Sequence, residues 1–264
     1  MTMRKTVSVY LKNYLGTFAI LALFLLMYHY ATQHDLIDTI LFPDIDRIAA
    51  SFMKNYPTLL LGVVHSFGLL IPGFILGILV AFILGIPMGL SRLFRNNINP
   101  IVYSVSVIPP ILMTPFAIHI FSSFSKASVF LIFYSTVWPT LFATINGVMT
   151  IDKRYLDNAA TLEITGFKRM IYVIFPSAMP SIFAGIVTSL RGSFIILVYA
   201  EMFGVKYGMG YFVQYYSDLG RYDNVMSGRG SLCIWVTRRL YKYLIFDRHR
   251  KIITRAHTKP RSSA

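Results

Sequence analysis

The chain has 264 residues, 55% of them hydrophobic and 14% charged, with a formal net charge of +14 and a mean hydropathy of +0.59. A soluble domain carries about a quarter charged residues; here the deficit is gathered into long apolar runs, which excludes a soluble globular fold. The surplus Lys and Arg fit the cytoplasmic loops and tail of a membrane protein rather than a nucleic-acid surface, and the single Cys233 excludes an intrachain disulfide or a cysteine-built zinc cluster.

In chain order, Arg4, Lys5 and Lys12 precede an apolar run from Leu15 to Tyr30. This resembles a signal peptide, but no small-residue cleavage site follows, so an uncleaved first helix is expected. A membrane helix needs about twenty mostly apolar residues. Tyr14–Ala31, Ser66–Leu90, Ile101–Phe121, Ala127–Val148 and Ser181–Phe203 meet that need, and a sixth candidate follows Asn224. The expected fold is therefore all-α, a polytopic transmembrane bundle of five to six spans. In the second span Gly73 and Gly77 stand in a small-xxx-small spacing that lets helices approach closely, so helix packing is expected there. Pro72 and Pro87 are expected to bend that span or mark its ends. Pro109, Pro110 and Pro115 interrupt the third; the carbonyls they free must face protein or a water-filled path, because lipid cannot satisfy them.

Cations then set the orientation. Arg92 and Arg95 follow span two, Lys153, Arg154, Lys168 and Arg169 lie between spans four and five, and the tail is basic. The segment after span one carries Asp35, Asp38, Asp44 and Asp46 with only Arg47 and Lys54, and Lys126 stands alone after span three. The positive-inside rule places the N-terminus and the loop between spans four and five in the cytoplasm, and the tail too if a sixth span forms. The sixth span is interrupted by Arg229 and Arg238, leaving an uncharged run too short to cross comfortably.

The segment Thr150–Pro180 is the sharpest signal, because a chain this apolar keeps its loops short unless a loop has a role. Asp152 is expected to cap a helix through Leu156, Ala159 and Ala160, and Thr165 a second one, Phe167 to Ile174, ended by Pro176 and Pro180. The residues fit two readings: a docking surface for a cytoplasmic partner, or an amphipathic loop lying on headgroups.

This loop resembles the EAA segment of the integral permease subunits of ABC importers, in which an acidic residue, small residues and a glycine precede a Leu-Pro pair. Anchored on Phe175-Pro176, Asp157 falls at the family's Glu, Ala159 at its second alanine and Thr165 at a common Ser. Pro100, then Ile108-Pro109-Pro110 and Pro115, are similar to the family's proline-bearing third span, Ile151-Asp152 to the pair entering the loop, and Ala178-Met179-Pro180 to the one leaving it. Gly185 and Arg191 follow at family-like places. Ala200-Glu201-Met202 with Gly208-Met209-Gly210 is similar to the subgroup importing nitrate, taurine, sulfonates and thiamine precursors. Two positions depart from the pattern: Glu163 stands where the family has glycine, and the last span is not continuously apolar.

The resemblance implies a permease subunit in the cytoplasmic (inner) membrane with no catalytic residues or cofactor of its own. Asp157, Asn158, Ala159, Ala160, Thr165 and Gly166 would couple it to a separate ATP-binding subunit. A second permease copy, an extracytoplasmic substrate-binding protein and membrane lipid complete the expected partners, and nucleic acid is not among them. Three segments are expected: 1–58 with the first helix, a permease core 59–224, and a basic tail 225–264. The chain has no Gly-x-x-x-x-Gly-Lys-Ser/Thr sequence, so hydrolysis must come from elsewhere. Arg191 and Glu201 are candidates for the substrate pathway or for an ion pair, with Lys206 a further partner for Glu201. Trp138, Tyr134, Tyr199, Tyr207 and Tyr215-Tyr216 fit interfacial belts. The six histidines show no metal-ligand spacing. The rival readings are a passive six-span channel needing no ATPase and an intramembrane enzyme, which would need convergent catalytic groups at one depth.

Overall fold

The computed structural model describes residues 2–34, 36–228 and 230. They form helices α1 (Thr2–Gln33), α2 (Ile45–Leu90), α3 (Arg92–Ser106), α4 (Thr114–Phe121), α5 (Phe124–Met149), α6 (Lys153–Thr161), α7 (Gly166–Arg169), α8 (Phe175–Gly204) and α9 (Met209–Asp218). Three helical stretches among these residues are long and apolar enough to cross a membrane: Ile45–Leu90, Phe124–Met149 and Gly166–Gly204. Arg92–Ser106 with Pro110–Phe121 makes a fourth, bent by 81°, and α1 adds the shorter apolar stretch Ala19–Gln33. Of the candidate sixth span and the basic tail segment 225–264, only residues 225–228 and 230 are described; the rest, with Cys233, lies outside the described residues. The fold is all-helical and polytopic.

Two compact units divide the chain, Met1–Leu59 with Val213–Ala264 and Leu60–Phe212. In the first, α1 exposes Leu23, Phe24, Leu26 and Met27, as a helix facing hydrocarbon must. The Tyr28 hydroxyl donates to the Pro43 carbonyl at 2.9 Å, tying α1 to the turn that follows it.

The second unit is organised around α5. Glycines on α2 meet it at constant register: a Cβ on Gly73 would touch Ile132, on Gly77 Thr136, on Gly85 Thr144 and on Gly89 Val148, each at 2.9 Å or less. Both numbers rise together, so the two helices run parallel, and only hydrogen at these four positions allows their backbones so close. Gly73 and Gly77 are thus packing residues. The helix α2 runs unbroken through Pro57, Pro72 and Pro87; Pro87 lies one turn before its end. There Arg95 Nη1 donates to the Met88 carbonyl at 3.0 Å, placing a cation on the helix's negative end.

On its other flank α5 packs antiparallel on α8. A Cβ on Gly185 would meet that of Ala143 at 2.2 Å, and one on Gly147 that of Ser181 at 2.9 Å. Between them runs a buried hydroxyl ladder, in which Thr136 Oγ1 pairs with Ser193 Oγ at 2.7 Å and Thr140 Oγ1 donates to Ser189 Oγ at 3.0 Å. In hydrocarbon, where apolar attraction between helices is weak, such pairs fix which faces meet.

The prolines break the third span between Ser106 and Pro110, and the freed carbonyl faces protein. Pro109 has no N–H for the carbonyl of Val105, four residues back. That carbonyl instead accepts the Ile108 N–H at 3.2 Å and the Tyr134 hydroxyl of α5 at 2.5 Å. Tyr134 is 5% exposed and Trp138 packs beside it edge to face at 5.4 Å, with Trp138 set against Ala81, Met88 and Val102. These two rings therefore belong to the bundle interior and not to the interfacial belt expected of them.

Candidate functional site

The loop between α5 and α8 is built from two short helices standing on the bases of the long ones. Asp152 caps α6 as expected, its Oδ1 accepting the Arg154 N–H at 3.0 Å. One face of α6 turns inward, where Leu156 packs against Val148, Ile174, Ala178 and Ile182, and Ala159 is 2% exposed. Asp157, Asn158 and Ala160 are exposed on its other flanks, and Thr165 and Gly166 are exposed just beyond it. Of the six residues expected to couple to a partner, five thus reach solvent and Ala159 is the inward one. Tyr155, Leu162, Phe167 and Tyr172 are 58%, 70%, 69% and 72% exposed, an uncovered apolar rim around the loop. A groove of about 710 Å³ lies along it, walled by Asp152, Tyr155, Asn158, Ala159, Tyr172 and Pro176 among others.

The end of α6 accounts for the glycine expected at position 163. The Glu163 N–H bonds to the Ala160 carbonyl at 3.0 Å and the Ile164 N–H to the Ala159 carbonyl at 2.9 Å. This is a Schellman closure, which requires a left-handed residue after the helix end. Glu163 occupies it at φ 52°. A side chain there is strained where glycine is not. Glu163→Gly is therefore expected to raise stability by about 1 kcal/mol, read as a higher thermal midpoint of the solubilised chain; Glu163→Ala should give no such gain. A lower midpoint for the glycine variant would refute the strain.

The second helix departs from expectation. Thr165 holds the cap position of α7, but its hydroxyl makes no cap hydrogen bond, and neither Pro176 nor Pro180 ends the run. A π-helical turn, Met170–Ile174, links α7 to α8, and the Phe175 N–H reaches back five residues to Met170. Widening the helix by one residue lets it continue past the donor that Pro176 lacks. The second helix of the loop thus runs into the fifth span without a break.

The structure does not bring Arg191 and Glu201 together. Both lie on α8, Arg191 exposed near its middle and Glu201 0% exposed near its end. Among the described residues Glu201 has no ion pair to Arg191 or Lys206. Its Oε2 accepts the N–H of Gly210 at 2.8 Å, and Ser66 Oγ accepts the neighbouring Met209 N–H at 3.1 Å. The acid thus meets the first backbone N–H groups of α9 rather than a cation. Gly208 and Gly210 close round it: a Cβ on either would come within 2.8 Å of Glu201 atoms. The signal was present as Gly208-Met209-Gly210, seven residues after the acid.

With this arrangement in view, the comparisons with known proteins are specific. Residues 73–237 match the family described as the binding-protein-dependent transport system inner membrane component. The chain belongs to this family. It is a multi-pass protein of the inner membrane. Nitrate import permease protein NrtB of Synechococcus elongatus is 25% identical over 141 residues, 53% of this chain and 50% of that one. Bicarbonate transport system permease protein CmpB of the same organism is 31% identical over 143 residues, 53% and 51%. "Probable ABC transporter permease protein BMEII0107" of Brucella melitensis is 30% identical over 142 residues, 54% and 58%. The chain spans about half the length of the nitrate and bicarbonate relatives it matches.

Proposed function

We propose that this chain is the permease subunit of an ATP-driven importer, moving a small anion of the nitrate or bicarbonate type across the inner membrane. The observation that carries the reading is α6: a short helix with its inner face seated on α5 and α8 and its outer rim of Tyr155, Leu162, Phe167 and Tyr172 uncovered. Apolar rings gathered on a cytoplasmic projection suit a protein partner. The Gly166–Gly204 stretch, unbroken through its π-turn, would pass a push on that helix into the membrane. The partner is an ATP-binding subunit, since this sequence has no phosphate-cradling loop. The names of the relatives support the substrate class. Residues 59–224 form the permease core in this reading. Arg191, a charge exposed mid-helix, faces the aqueous pathway or a second permease copy, because lipid would not tolerate it. An extracytoplasmic binding protein delivers the anion.

Reconstitution tests this. Liposomes carrying the chain with an ATPase subunit and a binding protein are expected to accumulate nitrate or bicarbonate only when ATP is supplied. Equal uptake by the chain alone, without nucleotide, would make it a passive channel.

A further inference from the structure

The unit formed by Met1–Leu59 and Val213–Ala264 holds a cavity of about 650 Å³ that the coupling mechanism does not use. One wall is the first turns of α2, the other the segment from Tyr216 to Asn224. The charge pattern that sets the topology puts both walls outside the cytoplasm, where cations are scarce. Yet Arg47, Lys54 and Arg221 all line this cavity, against one carboxylate, Asp223. All three cations are exposed, and among the described residues none has an ion-pair partner.

The polar floor is ordered in one sense. Asn224, 6% exposed, accepts through Oδ1 from Asn55 Nδ2 at 2.8 Å and from the Ser51 hydroxyl. Ser227 Oγ donates to the Asn224 backbone carbonyl at 2.8 Å and lies 3.3 Å from Ser51 Oγ. Two donors on Oδ1 fix the amide's orientation, so its NH₂ group, which has no acceptor among the described residues, is left for a ligand. Ser51 and Asn224 are 173 residues apart in sequence, so this floor is assembled by the fold and not by local chain geometry.

We propose that this cavity binds a small oxyanion, such as nitrate or bicarbonate, through Arg47, Lys54, Arg221 and the Asn224 amide. Planar guanidinium groups present paired N–H donors that match two oxygens of such an anion. Among the lining residues three cations stand against one carboxylate, so the positive charge is confined to the cavity wall. The site rests on the permease reading for its side of the membrane, but its occupancy can be measured without any partner.

The full chain in zwitterionic nanodiscs is titrated calorimetrically with sodium nitrate and with sodium bicarbonate. Saturable binding is expected, and Arg47→Gln, Lys54→Gln and Arg221→Gln are each expected to weaken it about tenfold, the size of one lost charged hydrogen bond. Lys54→Arg retains binding, and unchanged size-exclusion elution verifies each fold. Should Arg221→Gln fail to fold, the two substitutions on α2 carry the test. Unchanged affinity in the Arg47→Gln, Lys54→Gln double variant overturns the site. So does loss of nitrate binding when phosphatidylglycerol is added to the nanodiscs, which would assign the cations to a lipid phosphate. Binding by the isolated chain stands or falls separately from ATP-dependent uptake, so failure here is distinct from failure of the permease reading.

Discussion

Ala160→Trp in the assembled importer is expected to abolish ATP-dependent uptake while membrane insertion and bundle stability stay as in the parent. Ala160 is on the exposed flank of α6, one residue after Ala159, which is 2% exposed against the long helices. An indole there points into solvent in the free chain and disturbs nothing. Against a partner it wedges the two surfaces apart, separating the Tyr155 and Leu162 side chains from whatever covers them. Loss of such central contacts costs about 2–4 kcal/mol in comparable interfaces, or a 30- to 1,000-fold weaker association. Asp157→Lys reverses an exposed charge on the same helix and is expected to act in the same direction, more weakly and with salt dependence. Ala160→Ser is the control that should change nothing. Two measurements separate the cases: co-purification of the ATP-binding subunit and ATP-dependent uptake. Parental values of both in Ala160→Trp would show that α6 is not where the motor holds the permease.

Features encoded within a few residues are legible in the sequence. The Pro109-Pro110 break followed from missing donors, and the Asp152 cap from an acid before a helical pattern. The Gly73 and Gly77 spacing pointed to close helix contact, and Gly85 and Gly89 extend the same seam along α5. What needed the fold was the identity of partners brought in from elsewhere. Nothing local says that Tyr134 donates to the Val105 carbonyl, 29 residues away, so residue type alone points that ring to an interfacial belt. The π-turn was hidden because Pro176 reads as a stop unless an extra residue in the preceding turn realigns the backbone. A buried acid such as Glu201 invites a cation, whereas its acceptor role toward a backbone N–H leaves no mark in residue type except the two glycines that make room. The Ser51–Asn224 floor was invisible for the same reason, since periodicity describes faces and not which faces meet.

The glycine cradle of Glu201 yields the largest stability effect. Gly208 has φ 122°, a region closed to L side chains, and a Cβ there would lie 2.5 Å from both Cδ and Oε1 of the buried carboxyl group. Gly208→Ala combines backbone strain with overpacking, each of about 1–3 kcal/mol, for a loss of roughly 2–6 kcal/mol in total. Glu201→Ala by itself leaves the Gly210 N–H without its acceptor, at a cost of about 1–3 kcal/mol. Combining the two removes the clash and leaves only the backbone strain, so the double variant is expected to be more stable than the sum of the singles by about 1–3 kcal/mol. Glu201→Gln keeps the side-chain volume and an acceptor for Gly210, so Gly208→Ala should be as damaging in that background as in the parent. Thermal unfolding of the detergent-solubilised full chain reads all of these values. Strict additivity between Gly208→Ala and Glu201→Ala would mean that the carboxyl group and the glycine do not share the space the structure gives them, and that the end of α8 is joined to α9 by something else.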